Sequence, residues 1–252
     1  MTMEELTFGQ ILLYSFSQSD AMGKAIVVAL IAGSMLAWML IVSKWMDTSS
    51  KSRACKKFQK AYDRVRSPLA LGLYLDDVNG PLKNICDSGI KELLDIFEID
   101  EKQSKNFFRH STLPRKLTQA ETDKIRSTMN RQLNQETLEL ENGLGLLSIC
   151  VTVAPFLGLF GTVWGVMATF ISIARTSQIE ISAIAPGISG ALLTTVAGLL
   201  VAIPSVIANI LINSSVNEIC LKMDIFVDDF IASLKLEDAN GASDEDAENE
   251  GK

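Results

Sequence analysis

Basic residues are missing from the start of this chain, which opens with Glu4 and Glu5 and meets its first lysine only at Lys24. A cleaved secretory signal begins with a basic stretch. The first apolar run is therefore expected to be a retained anchor. Charge is missing altogether from three longer stretches, Ala25–Ser43, Asn142–Ala174 and Ile181–Asn217, none of which holds an Asp, Glu, Lys, Arg or His. A bilayer core about 30 Å thick needs roughly 20 apolar residues at 1.5 Å of helix rise each. All three runs come close to that length or exceed it. A water-soluble helix must turn one face to solvent, and runs this long without a charge exclude that arrangement.

Other absences narrow the chemistry. The four cysteines, Cys55, Cys86, Cys150 and Cys220, show no CxxC spacing, so reduced structural thiols are expected rather than a disulfide framework. The single histidine, His110, has no companion ligands nearby and reads as a surface residue, because a metal site needs several donors. No nucleophile–base pairing is evident. The stretch GLFGTVWG is rich in glycine but lacks the Lys-Ser/Thr of a phosphate loop and lies inside an apolar run. Neither a cofactor, a metal nor a nucleic-acid partner is expected, and the chain does not read as an enzyme.

What is present describes an all-α, polytopic membrane protein. Lys44, Lys51, Arg53, Lys56, Lys57 and Lys60 follow the first run closely, against Lys24 alone before it. The positive-inside bias then puts the N-terminus in the periplasm and the C-terminus in the cytoplasm. The expected order is a periplasmic segment (1–24), a transmembrane helix (25–43) and a cytoplasmic helical domain (44–141). A second transmembrane helix (142–174), a short periplasmic loop (175–182) and a third transmembrane helix (183–213) follow. A cytoplasmic helical extension (214–236) and an acidic, disordered tail (237–252) close the chain. Ser67-Pro68 and Asn79-Gly80-Pro81 are turn signals inside the cytoplasmic domain.

Thr118 and Glu121 in TQAE match a capping box. After them Ile125, Met129, Leu133, Leu140, Leu144 and Leu147 recur at helical spacing, which predicts one helix from about Thr118 to beyond Phe170. Ile219, Met223, Phe226, Phe230 and Leu234 form a similar stripe after the third run. Two membrane helices extended in this way imply a cytoplasmic bundle whose stripes need partners.

Within the second run, Ser148, Thr152, Pro155, Leu159, Thr162, Val166 and Thr169 share one helical face, and Gly158, Gly161 and Gly165 lie beside it. In the third, Gly187, Gly190, Thr194, Gly198, Val201 and Ser205 form a small-residue stripe, with Thr195 adjacent. Glycines at this spacing let helices approach closely in lipid, and contact between protomers is the expected use. Pro155 and Pro204 are expected to bend their helices and free backbone carbonyls. Spacing alone leaves two readings open: ordinary packing with hydroxyls bonded back to carbonyls, or a surface lined by hydroxyls that faces a pore or a partner.

The stretches APFLGLFGTVWGVMATFISIA and APGISGALLTTVAGLLVAIPSVI resemble the MotA/TolQ/ExbB proton-channel family, in its TolQ/ExbB branch. Similarity extends through Lys124–Leu234. The resemblance implies a motor or stator subunit: a homopentamer around a single-span partner of ExbD or TolR type carrying a membrane aspartate. Proton flow would deliver work to a TonB- or TolA-like envelope protein. Thr162 and Thr195 stand at the positions of the family's two pore-facing threonines. Gly190 stands where the family usually carries a glutamate, so the second and third runs hold no carboxylate. A threonine can pass a proton through hydrogen bonds but cannot hold a charge at physiological pH. The acid is therefore expected from the partner. A self-sufficient ion channel, or a membrane scaffold that has lost ion coupling, are the alternative readings.

Overall fold

The computed structural model describes residues 8–65, 79–99, 115–176 and 181–249. Ser67-Pro68, His110 and most of the expected outer loop (residues 177–180) lie outside them. The described elements are six α-helices: α1 Phe8–Gln18, α2 Ala21–Val65, α3 Pro81–Ile96, α4 Gln119–Glu141, α5 Leu144–Thr176 and α6 Ile181–Asn249. No strand occurs among the described residues. Three helical stretches, Ala21–Arg64, Gln119–Arg175 and Ile184–Leu236, are long and apolar enough to cross a membrane.

The chain divides into two compact units. The first comprises Met1–Trp45 and Gly143–Asn213, the second Met46–Asn142 and Ser214–Lys252.

In the first unit, α5 and the early part of α6 pack with α1 and the early part of α2. The core is small in side-chain volume: Ile26 and Leu30 of α2 meet Ala154 and Ala202, with Leu157 and Val201 beside them. Larger apolar side chains point outward instead, among them Met39, Phe156, Val163, Phe170, Ile203 and Ile210. A helix that is apolar all round is stable only where its outer face also avoids water, as in a bilayer or against other copies. Pro155 and Pro204 sit inside α5 and α6, which continue past them, and Pro186 lies within α6 as well. Pro155 has no N–H, so the Val151 carbonyl loses its usual helical donor.

The second unit has an ordinary side-chain core. Pro81 occupies the first turn of α3, where a missing N–H costs nothing. Helix α3 packs on α4. Every member of the stripe Ile219, Met223, Phe226, Phe230 and Leu234 is buried. Phe226 meets Phe58 at 5.2 Å and Tyr62 at 5.3 Å between ring centroids, both edge-on. Burying a ring of this size contributes about 1.5–3 kcal/mol. The partners that the stripe requires are thus supplied by the same chain. Glu136, 5% exposed, accepts hydrogen bonds from Asn84 Nδ2 (2.7 Å) and Gln132 Nε2 (3.1 Å). The Cys86 thiol is wholly buried, and desolvation pushes its pKa far up.

The capping box forms as the TQAE spacing predicts. Thr118 Oγ1 accepts from the Glu121 backbone N–H at 3.3 Å, and Glu121 Oε2 accepts from the Thr118 N–H at 2.8 Å. Arg115 and these capping bonds hold the Glu121 carboxyl down at about 2.

One expected helix extent differs from the structure. A single helix from Thr118 through Phe170 does not form: α4 ends at Glu141, Asn142 leaves the helical region at ψ 129°, and Gly143 takes φ +80° before α5 begins. Only glycine adopts that left-handed conformation readily, so a residue that periodicity passes over ends the helix. The segment before the first run is partly the helix α1, closed by Ser19 N–H donating to Ser15 O at 3.1 Å. The third long helix runs from Ile181 to Asn249.

Candidate ion-pathway site

The glycines of α5 bring α6 almost to backbone contact. A Cβ added at Gly158 would lie 2.8 Å from Thr194 O, at Gly165 2.7 Å from Ala191 Cβ, and at Gly161 2.5 Å from Thr194 Oγ1. Gly198 faces back in the same way, 2.8 Å from Ala154 O. The close approach these glycines permit is therefore between two helices of one chain. It places hydroxyls of α6 over carbonyls of α5, which side chains on an ordinary helix pair 8–10 Å apart would keep at a distance.

Three threonines converge there. Thr194, fully buried, donates to Gly158 O at 3.0 Å or Ala191 O at 2.7 Å. Thr162 Oγ1 reaches Gly158 O at 3.2 Å and Ala191 O at 3.3 Å, and Thr195 Oγ1 reaches Gly158 O at 3.2 Å. The hydroxyls of Thr162 and Thr195 also bond to each other across the helices. Each hydroxyl owns one hydrogen but can accept twice. The pair therefore has two orders. Thr162 can donate to Thr195 while Thr195 donates to Gly158 O, or Thr195 can donate to Thr162 while Thr162 donates to Ala191 O. A neutral chain of this kind can relay a proton in either direction. It cannot store one as charge.

The other expected polar residues lie elsewhere. Thr169 Oγ1 bonds back to Gly165 O at 2.8 Å, with Gly187 against its side chain. Exposed Thr152 bonds back to Ser148 O at 2.8 Å, and Ser148 Oγ accepts from Asn209 Nδ2 at 3.3 Å. Ser205 Oγ donates to Val201 O at 2.7 Å. Gly190 is buried against the end of α1: a Cβ there would lie 2.7 Å from Ser19 Oγ and 3.1 Å from Ser19 Cα. Any side chain at 190 would push α1 away. Next to it, Ser189 Oγ shares a 2.8 Å hydrogen bond with Ser15 Oγ.

One residue in this region escaped the sequence reading. Asp20 immediately precedes α2, where its Oδ1 accepts the Gly23 N–H at 2.7 Å, while Oδ2 accepts the Trp164 indole N–H of α5 at 2.9 Å. Its signal was available: an aspartate immediately before an apolar run is a helix-start residue. Its meeting with Trp164 was not. Among the described residues, no group of three or more His, Cys, Asp or Glu side chains could hold a metal ion.

Comparison with known proteins places this geometry in context. The family model described as the MotA/TolQ/ExbB proton channel family matches residues 83–225, more than half of the chain. The chain is 30% identical to the Tol-Pal system protein TolQ of Haemophilus influenzae, over 87% of this chain and 91% of that protein. It is 28% identical to the biopolymer transport protein ExbB of Salmonella typhimurium, over 76% of this chain and 73% of that protein. A further ExbB, from Neisseria meningitidis, is 28% identical over 87% of this chain and 94% of its own length.

Proposed function

Because this chain belongs to the MotA/TolQ/ExbB proton channel family, we propose that it is the channel-forming stator subunit of an envelope motor, a channel protein and not an enzyme. In this reading it lies in the inner membrane as a multi-pass protein with its N-terminus periplasmic and its C-terminus cytoplasmic. Several copies, five by resemblance, surround a single-span ExbD- or TolR-like partner. Proton flow through the assembly performs work on a TonB- or TolA-like protein.

The observation that carries the reading is the Thr162–Thr195 hydroxyl pair bridging α5 and α6. By resemblance, Thr162 and Thr195 stand at the positions of the family's two pore-facing threonines. This pair also has two hydrogen-bond orders of similar geometry. The exposed apolar surface of the first unit supports an assembly in lipid. The hydroxyls need an acid that binds and releases the proton, and in this reading the partner's membrane aspartate comes level with them.

The test is proton flux in liposomes. This chain alone should be nearly silent, and its complex with the co-purifying single-span protein should conduct. Thr162→Val and Thr195→Val keep the side-chain shape and remove the hydroxyl, so complex mass should stay unchanged while flux falls roughly a hundredfold, the usual scale of a lost proton-transfer group. Wild-type flux in both variants would reduce the hydroxyls to packing. Strong flux from this chain alone would promote a self-sufficient channel.

A further inference from the structure

We propose that Asp20 is a proton-binding carboxylate of this chain, taking protons from water in a cavity of the first unit and releasing them toward the Thr162–Thr195 pair. The inference rests on the ion-coupled reading above and adds to it a titratable group in cis.

The cavity has a volume of about 340 Å³ and opens to the surface. Its walls include Gln18, Ser19, Asp20, Thr169 and Ser172, together with Gly161, Gly165, Gly187 and Gly190. At about 30 Å³ of liquid volume per water, it holds on the order of ten waters. Among the described residues, Asp20 is the one acidic or basic side chain that lines it. Lys24 and Arg175, the nearest charged positions on α2 and α5, do not contribute to the wall, and the described parts of α1 and of α6 through Asn213 carry no charge.

One wall residue also takes part in the hydrogen bonds of the threonines. Gly161 and Ala191 line the cavity, and Ala191 O is the carbonyl that Thr162 and Thr194 reach at 3.3 and 2.7 Å. Thr162, Thr194 and Thr195 do not themselves line the cavity; Ala191 is the residue that its wall shares with their hydrogen bonds. Asp20 accepts one hydrogen bond on each oxygen, from Gly23 N–H and Trp164 Nε1. Each carboxylate oxygen keeps a second lone pair. A proton arriving from cavity water adds to one of them, giving a neutral carboxyl. The same proton leaves to the next water on the threonine side, and the carboxylate is restored.

The competing explanation is structural: Asp20 caps α2 and tethers Trp164. Substitutions separate the two. Serine and asparagine cap helices about as well as aspartate but hold no acid. Asp20→Glu keeps the acid. Trp164→Phe removes the tether and leaves the carboxylate. In liposomes containing the complex with the co-purifying single-span protein, read with an internal pH dye, Asp20→Ser and Asp20→Asn should lower proton flux by roughly tenfold or more at unchanged complex mass. Asp20→Glu should restore most of the flux, and Trp164→Phe should stay within about twofold of wild type, having lost no acid. Wild-type flux in Asp20→Ser and Asp20→Asn overturns the proposal. So does an equal loss in Trp164→Phe, or failure of both variants to assemble, since either result makes Asp20 a structural cap. A silent wild-type complex would instead refute the ion-coupled reading, and this proposal with it.

Discussion

Replacing Gly161 by alanine tests the α5–α6 contact at its tightest point. The new Cβ would stand 2.5 Å from Thr194 Oγ1, 2.7 Å from its Cβ and 2.9 Å from its Cγ2. Comfortable carbon contacts begin at about 3.5 Å, so the whole side chain has to move by close to 1 Å. Thr194 is β-branched and restricted in χ1. It is also fully buried and committed to Gly158 O or Ala191 O. Turning it away breaks that bond. Spreading the helices stretches the 3.2 Å approach of Thr195 to Gly158 O. Overpacking costs about 1–3 kcal/mol, and a lost hydrogen bond adds about 1 kcal/mol. Alanine's better helix propensity returns about 1 kcal/mol. The net expectation is a destabilisation of about 1–3 kcal/mol. Reversible unfolding in mixed detergent micelles measures it, because in lipid or detergent this contact rests on packing and not on removal of apolar surface from water. The double variant Gly161→Ala/Thr194→Ala frees the space and should recover most of the loss relative to Thr194→Ala alone. A single variant as stable as wild type, or a double variant with no recovery, would refute the close-contact argument.

Gly143→Ala should destabilise by about 1–2 kcal/mol because φ is +80° there. Gly145→Ala, with nothing within 4 Å of the new Cβ, should stabilise by about 0.5–1 kcal/mol; the same micelle unfolding assay reads both signs. Glu121 has a folded pKa lowered to about 2 from 4.5, so its contribution is present above about 4.5 and is lost as pH falls toward 2. Glu121→Gln should therefore flatten the acid side of the stability–pH curve measured by thermal melting, and an unchanged slope would contradict the capping geometry. Orientation is checked with an impermeant thiol reagent added from the periplasmic side. Cys86 is buried with a raised pKa and Ser19 is also buried, so neither reports on sidedness. In a background with Cys150 and Cys220 replaced by serine, Ser17→Cys should label and Ser127→Cys should not, both positions being exposed. The reverse pattern would invert the topology.

The membrane-length runs, the capping box and the apolar stripes were legible because each is a local property. Absence of charge, a Thr-x-x-Glu spacing and a 3.6-residue period need no knowledge of what lies across the fold. The hydroxyl and glycine faces of the second and third runs were legible for the same reason. Their partners were not. Periodicity puts Thr152, Thr162 and Thr169 on one face alike, yet only Thr162 meets Thr195, because that contact depends on where α6 crosses α5. The glycines could equally have faced another copy; the pairing of Gly158, Gly161 and Gly165 with Thr194, Thr195 and Ala191 is a tertiary outcome. Gly143 looks like any tolerated helical glycine until its φ turns positive, and that sign depends on how the chain must turn between Glu141 and Leu144. The placement of Asp20 is the furthest from the sequence. Its partner Trp164 lies 144 positions away, and Gly190, which reads as a missing acid, is the space against which Ser19 packs. A one-dimensional pattern records which residues share a helix face. Only the packing of α1, α5 and α6 decides which of those faces meet.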